Sequence, residues 1–398
     1  DGLGEDGFRL QAKGGDLVVT GGRRGILYGV YELLETYGGC GWYAVDCEGV
    51  PEIARFAVPG DLNRVEKPAF VRRRCNNGYT VSPDFFVRWR QNDAELSPGL
   101  RAAKFGGAMP EFDAELGICH TFEKILNPKD HFKDHPEYFS EKDGKRLEKD
   151  TQLCLTNPDV LRLTIEKVVS RIRANRAAGK DVRIYGVSPN DWKNPCTCPA
   201  CAALDAQEGS PSGSLIAFVN KVAEAAEKED PEAIVETLAY QYTRVPPKTI
   251  RPRHNVMVTL CVIELDFSKP IAESRFGANE RLRAQLGKWR EIANHLYLWN
   301  YDSNWRYAAM PHPNLDALVP NVRFFRENGV TDLFENFLSA NPANDFFWLK
   351  NWLVAKAMWN PGLDVGAHVR RFTDAYYGKA APFVREYLRR LADDPRDE

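Results

Sequence analysis

The sequence of 398 residues lacks the features that define several large protein classes. No apolar run approaches the roughly 20 residues that a membrane-spanning helix needs, so we expect no membrane-spanning segment. Charge of one sign is also scarce: 53 Lys and Arg stand against 55 Asp and Glu, a formal net charge of -2. This balance argues against nucleic acid and against a polybasic membrane contact.

Several catalytic and cofactor-binding motifs are missing as well. No G-x-G-x-x-G follows a predicted strand, which argues against a dinucleotide-binding fold. The absence of H-E-x-x-H and of G-x-S-x-G argues against a zinc metalloprotease helix and a nucleophile elbow. There is no internal repeat and no low-complexity tract. We expect no cofactor for catalysis.

The chain begins at Asp1 rather than Met, and no signal peptide is visible. We therefore expect a mature or excised chain that has lost any signal. Its composition, 43% hydrophobic and 27% charged, is typical of a globular protein. The length fits one large α/β barrel with a small accessory domain. With 9 Trp, 15 Tyr and 21 Phe, the chain has aromatic residues both for a core and for platforms beneath sugar rings.

Residues 1–66 predict a small α/β domain. Two strands, 8–12 and 16–20, are joined by the turn Lys13-Gly14-Gly15. A helix follows, and the apolar residues at helical spacing on its expected buried face are Ile26, Val30, Leu33 and Leu34. The sequence Val58-Pro59-Gly60 marks a boundary, so we expect a second domain over residues 67–398.

From residue 67 the pattern alternates between strands and helices. The predicted strands are 69–74, 115–119, 152–155, 182–187, 235–240, 256–263, 296–299 and 331–334. The clearest predicted helices are 159–178, 214–229, 279–293, 315–327 and 345–359. Eight strands, most with a following helix, predict a (β/α)8 TIM barrel. A doubly wound sheet is the structural alternative.

Polar residues follow the predicted strands, where a barrel carries its catalytic groups. The strand 182–187 is followed by Asn190-Asp191, and further carboxyl groups follow two later strands at Glu264 and Glu335. The other residues expected to line this mouth and bind substrate are His120, Asn190, Trp192, Tyr240, Tyr242, Trp299, Asn300, Tyr301, Asp302 and Trp305. Neutral hydrogen-bonding groups, an aromatic platform and two carboxyl groups are what a glycosidase site needs.

Each of these residues also has a purely structural interpretation. Asp191 stands where an aspartate caps a loop or the start of a helix. Glu264 fits a solvated position just past its strand, and Glu335 fits either a structural ion pair or a carboxyl group whose pKa is raised by desolvation. His120 fits a half-buried histidine with satisfied hydrogen bonds. The tryptophans fit a core as well as a sugar platform.

Nine cysteines are present, an odd number that cannot pair completely. Three of them form the cluster Cys196-x-Cys198-x-x-Cys201 just beyond Asp191. The cluster fits three ligands of a structural zinc with a fourth ligand elsewhere, a disulfide plus a free thiol, or a bare loop. We favour a structural brace, by metal or by disulfide, over catalysis, because a closed thiolate site has no open coordination position.

With these residues in view, the chain resembles known glycosidases. Residues 7–43, which include Gly25-Ile26-Leu27-Tyr28-Gly29-Val30, resemble the small domain that precedes the barrel in β-hexosaminidases and α-glucuronidases. The remainder resembles the barrel of glycoside hydrolase family 163. The stretches that carry this resemblance are Cys119-His120-Thr121-Phe122, His135-Pro136-Glu137-Tyr138-Phe139, Gln152-Leu153-Cys154-Leu155-Thr156-Asn157, and Ser188-Pro189-Asn190-Asp191 with its cysteines.

The resemblance implies a bacterial endo-β-N-acetylglucosaminidase that is secreted, periplasmic or on the cell surface and acts on the N-glycans of glycoproteins. It implies a retaining mechanism assisted by the 2-acetamido group of the substrate. Related hexosaminidases carry an adjacent Asp-Glu pair after strand four, where this chain has Asn190-Asp191. We therefore assign Asp191 to orient the acetamido group and Glu264 to be the acid/base, with Glu335 in reserve.

Two other functions fit the same residues. An exo-acting hexosaminidase or α-glucuronidase would need a closed pocket, and a uronate would need a nearby cation such as Arg244. A non-catalytic glycan-binding barrel would bind tightly without turnover. It would not hold two carboxyl groups within the roughly 5–10 Å span of working glycosidases.

Overall fold

The computed structural model describes residues 2–76, 82–95, 98–307, 310–337 and 345–393. The N-terminal unit contains an antiparallel sheet in the strand order β2-β1-β5 and a separate β3-β4 hairpin. Its elements are β1 (Phe8–Lys13), β2 (Asp16–Gly21), α1 (Arg23–Thr36), β3 (Gly41–Ala44), β4 (Cys47–Gly49) and β5 (Asn63–Glu66). The two predicted strands and the helix of this region are therefore present.

The buried face of α1 differs from the predicted one. Ile26 and Val30 are exposed, whereas Tyr28 and Glu32 are buried. The reason is the neighbour: Tyr28 packs edge-on against Trp359, with ring centroids 5.6 Å apart. Leu33 is buried as predicted, so apolar spacing identified the buried face only in part. The rest of that face packs against the second region through an aromatic ring and ion pairs.

The second region is built on a parallel sheet in the order β6-β14-β13-β12-β11-β10-β7. Its strands, with one small hairpin, are β6 (Arg72–Asn76), β7 (Glu111–Phe112), β8 (Glu141–Lys142), β9 (Lys145–Arg146), β10 (Val182–Gly186), β11 (Ile234–Ala239), β12 (Val256–Cys261), β13 (His295–Tyr301) and β14 (Asp332–Asn336). Its helices are α2 (Pro83–Arg88), α3 (Phe122–Ile125), α4 (Pro128–His131), α5 (Pro158–Ala177), α6 (Pro199–Glu208), α7 (Ser212–Glu229), α8 (Gly277–Ile292), α9 (Leu315–Glu327), α10 (Phe347–Trp359), α11 (Val365–Tyr377) and α12 (Ala381–Ala392).

This curled sheet with helices around it confirms the predicted α/β TIM-barrel class. Among the described residues the barrel sheet has seven strands rather than eight. The predicted strand at 152–155 makes a single bridge, between Leu153 and Phe139. The predicted strand at 115–119 is a turn, and β7 lies just before it. Both segments read as apolar strands, yet their backbones bond to loops instead.

The sheet has a seam between β6 and β7, which are not paired with each other in the described part of the chain. Side chains cover the free edge of β6 here. The side-chain oxygens of Asn92 and Gln91 accept hydrogen bonds from the backbone N–H groups of Arg73 and Cys75, both at 2.9 Å. Arg72 spans the seam and donates to the carbonyl of Pro110 at 2.6 Å.

The two faces of the sheet carry different cores. The inner face encloses a small cluster of Phe112, Ile184, Met257, Tyr297 and Phe334. The outer face packs against the helices through a much larger aliphatic and aromatic core. Since successive side chains of a strand point to opposite faces, the position of each residue in its strand decides which core it joins.

The N-terminal unit is attached to the second region through α10, which is buried on nearly every side. Trp359 of α10 stacks on Phe8 with ring centroids 5.8 Å apart. Arg90 donates to Glu32 and Glu35 of α1 at 2.5 and 3.2 Å, and all three side chains are buried. In the part of the chain that the structure describes, every helix is too short or too polar to span a bilayer.

Candidate active site

The loop after β10 holds Asp191 at the C-terminal end of the barrel. Gln152 clamps this loop: its side-chain N–H donates to the carbonyls of Asn190 and Trp192 at 2.8 and 2.7 Å, and its oxygen accepts from the Asn190 N–H at 2.8 Å. Gln152 is buried, whereas Asp191 between the two clamped residues is exposed. The clamp fixes the backbone and leaves the Asp191 carboxylate free to meet a ligand.

The short turn after β11 contacts both predicted catalytic carboxylates. Gln241 donates from Nε2 to Asp191 Oδ1 at 3.2 Å. Arg244 donates from Nη2 to Glu264 Oε2 at 2.6 Å and also pairs with Oε1. The Glu264 side chain is 46% exposed, against 6% for Arg244. Asp191 and Glu264 therefore flank the end of β11, one from β10 and one from β12. Two strand spacings, about 10 Å, separate β10 from β12.

Two residues at this mouth have a backbone conformation that is costly outside glycine. His120 has a φ of 53° and Gln241 a φ of 50°. Such strain of about 1–3 kcal/mol persists where the surroundings impose it, and it concentrates at functional sites. His120 is held by Pro189, whose carbonyl lies 3.0 Å from Nδ1. The ring of Tyr240 lies next to it, with centroids 6.4 Å apart.

An aromatic wall stands on the inner face at the end of β13. Trp299 and Tyr301 are two residues apart on one strand, and their rings stack at 6.1 Å with an angle of 12°. Trp305 meets Tyr301 edge-on at 5.9 Å and is 43% exposed. The indole N–H of Trp299 is buried and has no hydrogen-bond partner among the described residues. The flat aromatic faces of this wall suit the apolar face of a sugar ring.

Beneath the mouth lies a buried carboxyl group that the sequence analysis did not select. Glu236 on β11 is fully buried, and burial raises its pKa to about 8, although the hydroxyls of Thr259 and Ser188 oppose the shift. The Ser188 hydroxyl donates to Oε2 at 2.8 Å. Gly186 stands beside Glu236 in the register, where a Cβ would lie 2.4 Å from the carbonyl of Gly117. Glu236 is therefore largely protonated at neutral pH.

Glu335 does not reach the mouth. Its neighbour Phe334 belongs to the inner cluster, so Glu335 points to the outer face, in register with Asn300 and Cys75. Asn300 donates to Glu335 at 2.9 Å and to Asp302 at 3.2 Å. Burial, reinforced by the charge of Asp302, raises the pKa of Glu335 well above its ordinary value. Glu335, Asn300 and Asp302 thus form a buried pair of carboxyl groups with a bridging amide behind the sheet.

Three more predicted residues lie away from the mouth. Asn190 is buried, accepts from the Glu123 N–H at 3.0 Å, and donates to the Thr151 carbonyl at 3.0 Å. Tyr242 faces a narrow space between its turn and α7. Trp192 is 45% exposed and borders a cavity of about 380 Å³ on the outer side of its loop. His120, Asp191, Tyr240, Glu264, Trp299, Tyr301 and Trp305 are the predicted residues that the structure brings to the mouth.

The cysteine cluster gains a fourth member in the structure. The sulfur atoms of Cys154, Cys196, Cys198 and Cys201 all lie within 4.8 Å of one another, and all four residues are buried. The sulfur of Cys154 lies 3.7 Å from that of Cys198 and 4.0 Å from that of Cys201, well beyond the about 2.05 Å of a disulfide bond. These four residues could hold a metal ion.

Four residues of the site were missed by sequence reasoning: Gln152, Cys154, Glu236 and Gln241. The sequence could have indicated Glu236, because a carboxylate within an apolar parallel strand is rare unless it is paired or functional. Gln241 stands directly at a strand end beside Tyr240. Gln152 and Cys154 both lie in the stretch 152–157 that carries the family resemblance, but nothing in the spacing of Cys154 links it to the cluster.

A cavity of about 620 Å³ lies elsewhere, between the N-terminal unit, α10 and α11. Its charged lining is largely paired: Arg64 donates to Glu32 at 2.9 Å, and Lys356 donates to Glu35 at 2.5 Å. Ion pairs of this kind hold the N-terminal unit against the second region, and they leave few charged groups free to bind a ligand. We therefore place the candidate site at the barrel mouth rather than in this cavity.

Comparison with known proteins gives a family and a fold. The family model described as "Domain of unknown function (DUF4838)" matches residues 42–389. The sequence matches no curated protein. Among solved structures, a family 89 glycoside hydrolase from Clostridium perfringens in complex with PUGNAc is similar, with 12% identity, a TM-score of 0.53, and coverage of 99% of this chain and 50% of that one.

The same hydrolase in complex with 2-acetamido-1,2-dideoxynojirmycin gives a TM-score of 0.56 at 12% identity, over 99% of this chain and 49% of that chain. A double variant of that hydrolase in complex with its substrate, GlcNAc-alpha-1,4-galactose, gives a TM-score of 0.52 at 12% identity. The match covers 98% of this chain and 48% of that chain. The chain therefore spans about half the length of these structures, and its fold is similar to theirs, that of a TIM-barrel glycoside hydrolase.

Proposed function

This chain belongs to the DUF4838 family, a domain of unknown function, and we propose that it is a glycoside hydrolase that acts on N-acetylglucosaminyl bonds. The observation that carries the proposal is the pair Asp191 and Glu264. Both carboxylates are exposed at the barrel mouth, and both are bound by the one turn that contains Gln241 and ends at Arg244. Glycosidases need two such groups on either side of a scissile bond.

A 2-acetamido sugar is favoured over other sugars. The similar hydrolase from Clostridium perfringens binds 2-acetamido-1,2-dideoxynojirmycin and GlcNAc-alpha-1,4-galactose. In this chain, Gln241 donates to Asp191 through Nε2, which holds this exposed carboxylate in place. A carboxylate fixed at the mouth suits the N–H of an acetamido group. The uronate alternative is disfavoured, because Arg244 is buried and paired with Glu264.

We further propose that the reaction is retaining and substrate-assisted. Asp191 accepts a hydrogen bond from the acetamido N–H and orients its oxygen toward the anomeric carbon. As that oxygen forms its bond, the bond to the leaving oxygen breaks, and Glu264 gives its proton to the leaving group. Water then opens the oxazolinium ring and returns a proton to Glu264. Trp299, Tyr301 and Trp305 hold the sugar face while this occurs.

Arg244 sets a condition on this scheme. The buried guanidinium is paired with the Glu264 carboxyl group, whereas the first step needs that group free to give a proton to the leaving oxygen. The substrate must therefore weaken this ion pair when it enters. After proton transfer, the same Arg244 stabilises the carboxylate that results, which suits the second step, where Glu264 acts as base.

The expected substrate is an N-glycan, cleaved within its N-acetylglucosamine core by endo action. The test is digestion of a glycoprotein followed by mass spectrometry of both products. Endo action releases whole glycans and leaves one N-acetylglucosamine on the protein. Release of monosaccharides would instead establish an exo-acting enzyme. Binding of the glycoprotein with no product from the wild-type chain would make it a glycan-binding barrel, and the D191N variant supplies the inactive control.

A further inference from the structure

We infer that Cys154, Cys196, Cys198 and Cys201 bind one structural zinc ion. Zinc bonds thiolate sulfur at about 2.3 Å in a tetrahedron, which places its four sulfur atoms about 3.8 Å apart. Here the four sulfur atoms lie within 4.8 Å of one another, and those of Cys154 and Cys198 are 3.7 Å apart. The side chains are thus already arranged as the corners of such a tetrahedron.

The surroundings of the sulfur atoms suit negative thiolates. The backbone N–H of Glu141 donates to Cys196 at 3.4 Å, and Arg146 donates to the same sulfur at 3.7 Å. The hydroxyl of Thr156 lies 3.1 Å from the sulfur of Cys201. A zinc ion with four thiolates carries two negative charges, and hydrogen-bond donors with a nearby guanidinium offset them.

The cluster is also isolated from the rest of the core. Its four cysteines form a buried group of their own, separate from both hydrophobic cores of the described residues. A packed loop usually has an aliphatic or aromatic centre beneath it. Here the centre of the loop is four sulfur atoms, which is the composition of a small metal-centred module. Four thiolates leave no open coordination position, so the site is structural rather than catalytic.

The position of the cluster indicates what the metal would stabilise. Cys196 and Cys198 lie in the loop that carries Asp191, and Cys201 lies in the first turn of α6. Cys154 comes from the segment before α5, two residues beyond Gln152. Zinc would therefore tie together the two segments that Gln152 already joins by hydrogen bonds, and would fix the direction in which Asp191 points.

Metal analysis of the purified full chain, prepared without chelator, tests the inference. We expect about one zinc per chain in the wild type and in C47S, a matched control at a cysteine outside the cluster. C154S and C201S should lose most of the zinc. D191N should keep it, so loss of activity in that variant leaves this inference untouched.

Because a cysteine variant can fail to fold, a second test uses the wild-type chain. Titration with a mercurial reagent should release zinc in step with modification of the cluster, read by a colorimetric zinc indicator. Alkylation after denaturation without reductant should label all nine cysteines. Labelling of two fewer would establish a disulfide and overturn the inference. So would stoichiometric iron, or a wild-type chain that contains no metal and still resists proteolysis at residues 187–198.

Discussion

Two pairs of carboxyl groups lie at the same end of one sheet and have opposite environments. Asp191 and Glu264 are exposed on the mouth and are held by Gln241 and Arg244. Glu335 and Asp302 are buried behind the sheet and are bridged by Asn300. The first pair can meet a ligand, whereas the second stabilises the fold. A carboxyl group near the end of a barrel strand is therefore a catalytic candidate only when it is exposed at the mouth.

The largest effect is expected from D191N. Losing the carboxylate that orients the acetamido group should lower kcat by about 100- to 10,000-fold, the usual range for a positioned acid or base. The melting temperature should stay near that of the wild type, because Asp191 is exposed. Product formation and thermal unfolding are measured on the same samples.

The matched control is E335Q, the same carboxyl-to-amide change on the other face of the sheet. It should retain wild-type turnover. Equal loss of activity in both variants would erase the distinction between the two pairs and would return Glu335 to the list of acids.

A second prediction concerns Glu236, which is inward-facing but buried. Burial raises its pKa from 4.5 to about 8, so the folded chain holds this proton more tightly than the unfolded chain does. The contribution to stability is complete below about pH 4.5 and is lost as the pH rises through about 8, by about 5 kcal/mol in all. E236Q should not lose this stability as the pH rises, because its amide does not ionise.

Denaturant unfolding of both proteins at pH 5 and pH 9 checks this prediction. Only the difference between variant and wild type is used, because other groups titrate in both. Relative to the wild type, the free energy of unfolding of E236Q should be higher at pH 9 than at pH 5. A difference that does not change with pH would show that Glu236 is charged in the folded chain.

Third, E335A should destabilise the fold by about 2–4 kcal/mol, since it leaves a cavity and removes the acceptor of Asn300. E335Q should cost much less at neutral pH, because the amide copies the protonated acid beside Asp302. Chemical denaturation gives both values. Activity per folded molecule should stay at the wild-type level in either variant, and a specific loss in E335A would contradict the structural role.

The smallest effect is expected from R244K. Lysine keeps the charge but cannot make the two-point contact with Glu264, so the acid is held less well and kcat should fall by about tenfold. R253K serves as the control, because Arg253 pairs with Glu227 of α7. An R244K enzyme with unchanged kcat and pH profile would remove Glu264 from the mechanism.

Much of the fold was predictable because its periodic signals are long. The helix predicted at 315–327 is α9 to the residue, and the strands from β10 to β14 lie within a few residues of their predicted positions. These elements are buried parallel strands and amphipathic helices, whose patterns follow directly from burial. The segment 152–155 has the same apolar pattern without pairing as a strand, because its residues pack under the loop of Asp191.

The site was predictable only in part. Asp191 and Glu264 could be found from strand ends, but the face of Glu335 depends on the exact register of β14. A shift of one residue reverses every side chain of a strand, and no local pattern in Asp332–Asn336 sets it. Cys154 joined its cluster through a contact across more than forty residues, which is a property of the folded chain rather than of any motif.

The seam beside β6 has a consequence for how the molecule behaves in a crowded solution. A strand at the edge of a sheet has unpaired N–H and C=O groups, to which a strand from another molecule can bond. Here Asn92 and Gln91 occupy the N–H groups through which an intruding strand would bond. In the part of the chain that the structure describes, the edge of β6 is therefore covered. Replacing Asn92 and Gln91 would expose its N–H groups to a strand of another molecule and promote aggregation.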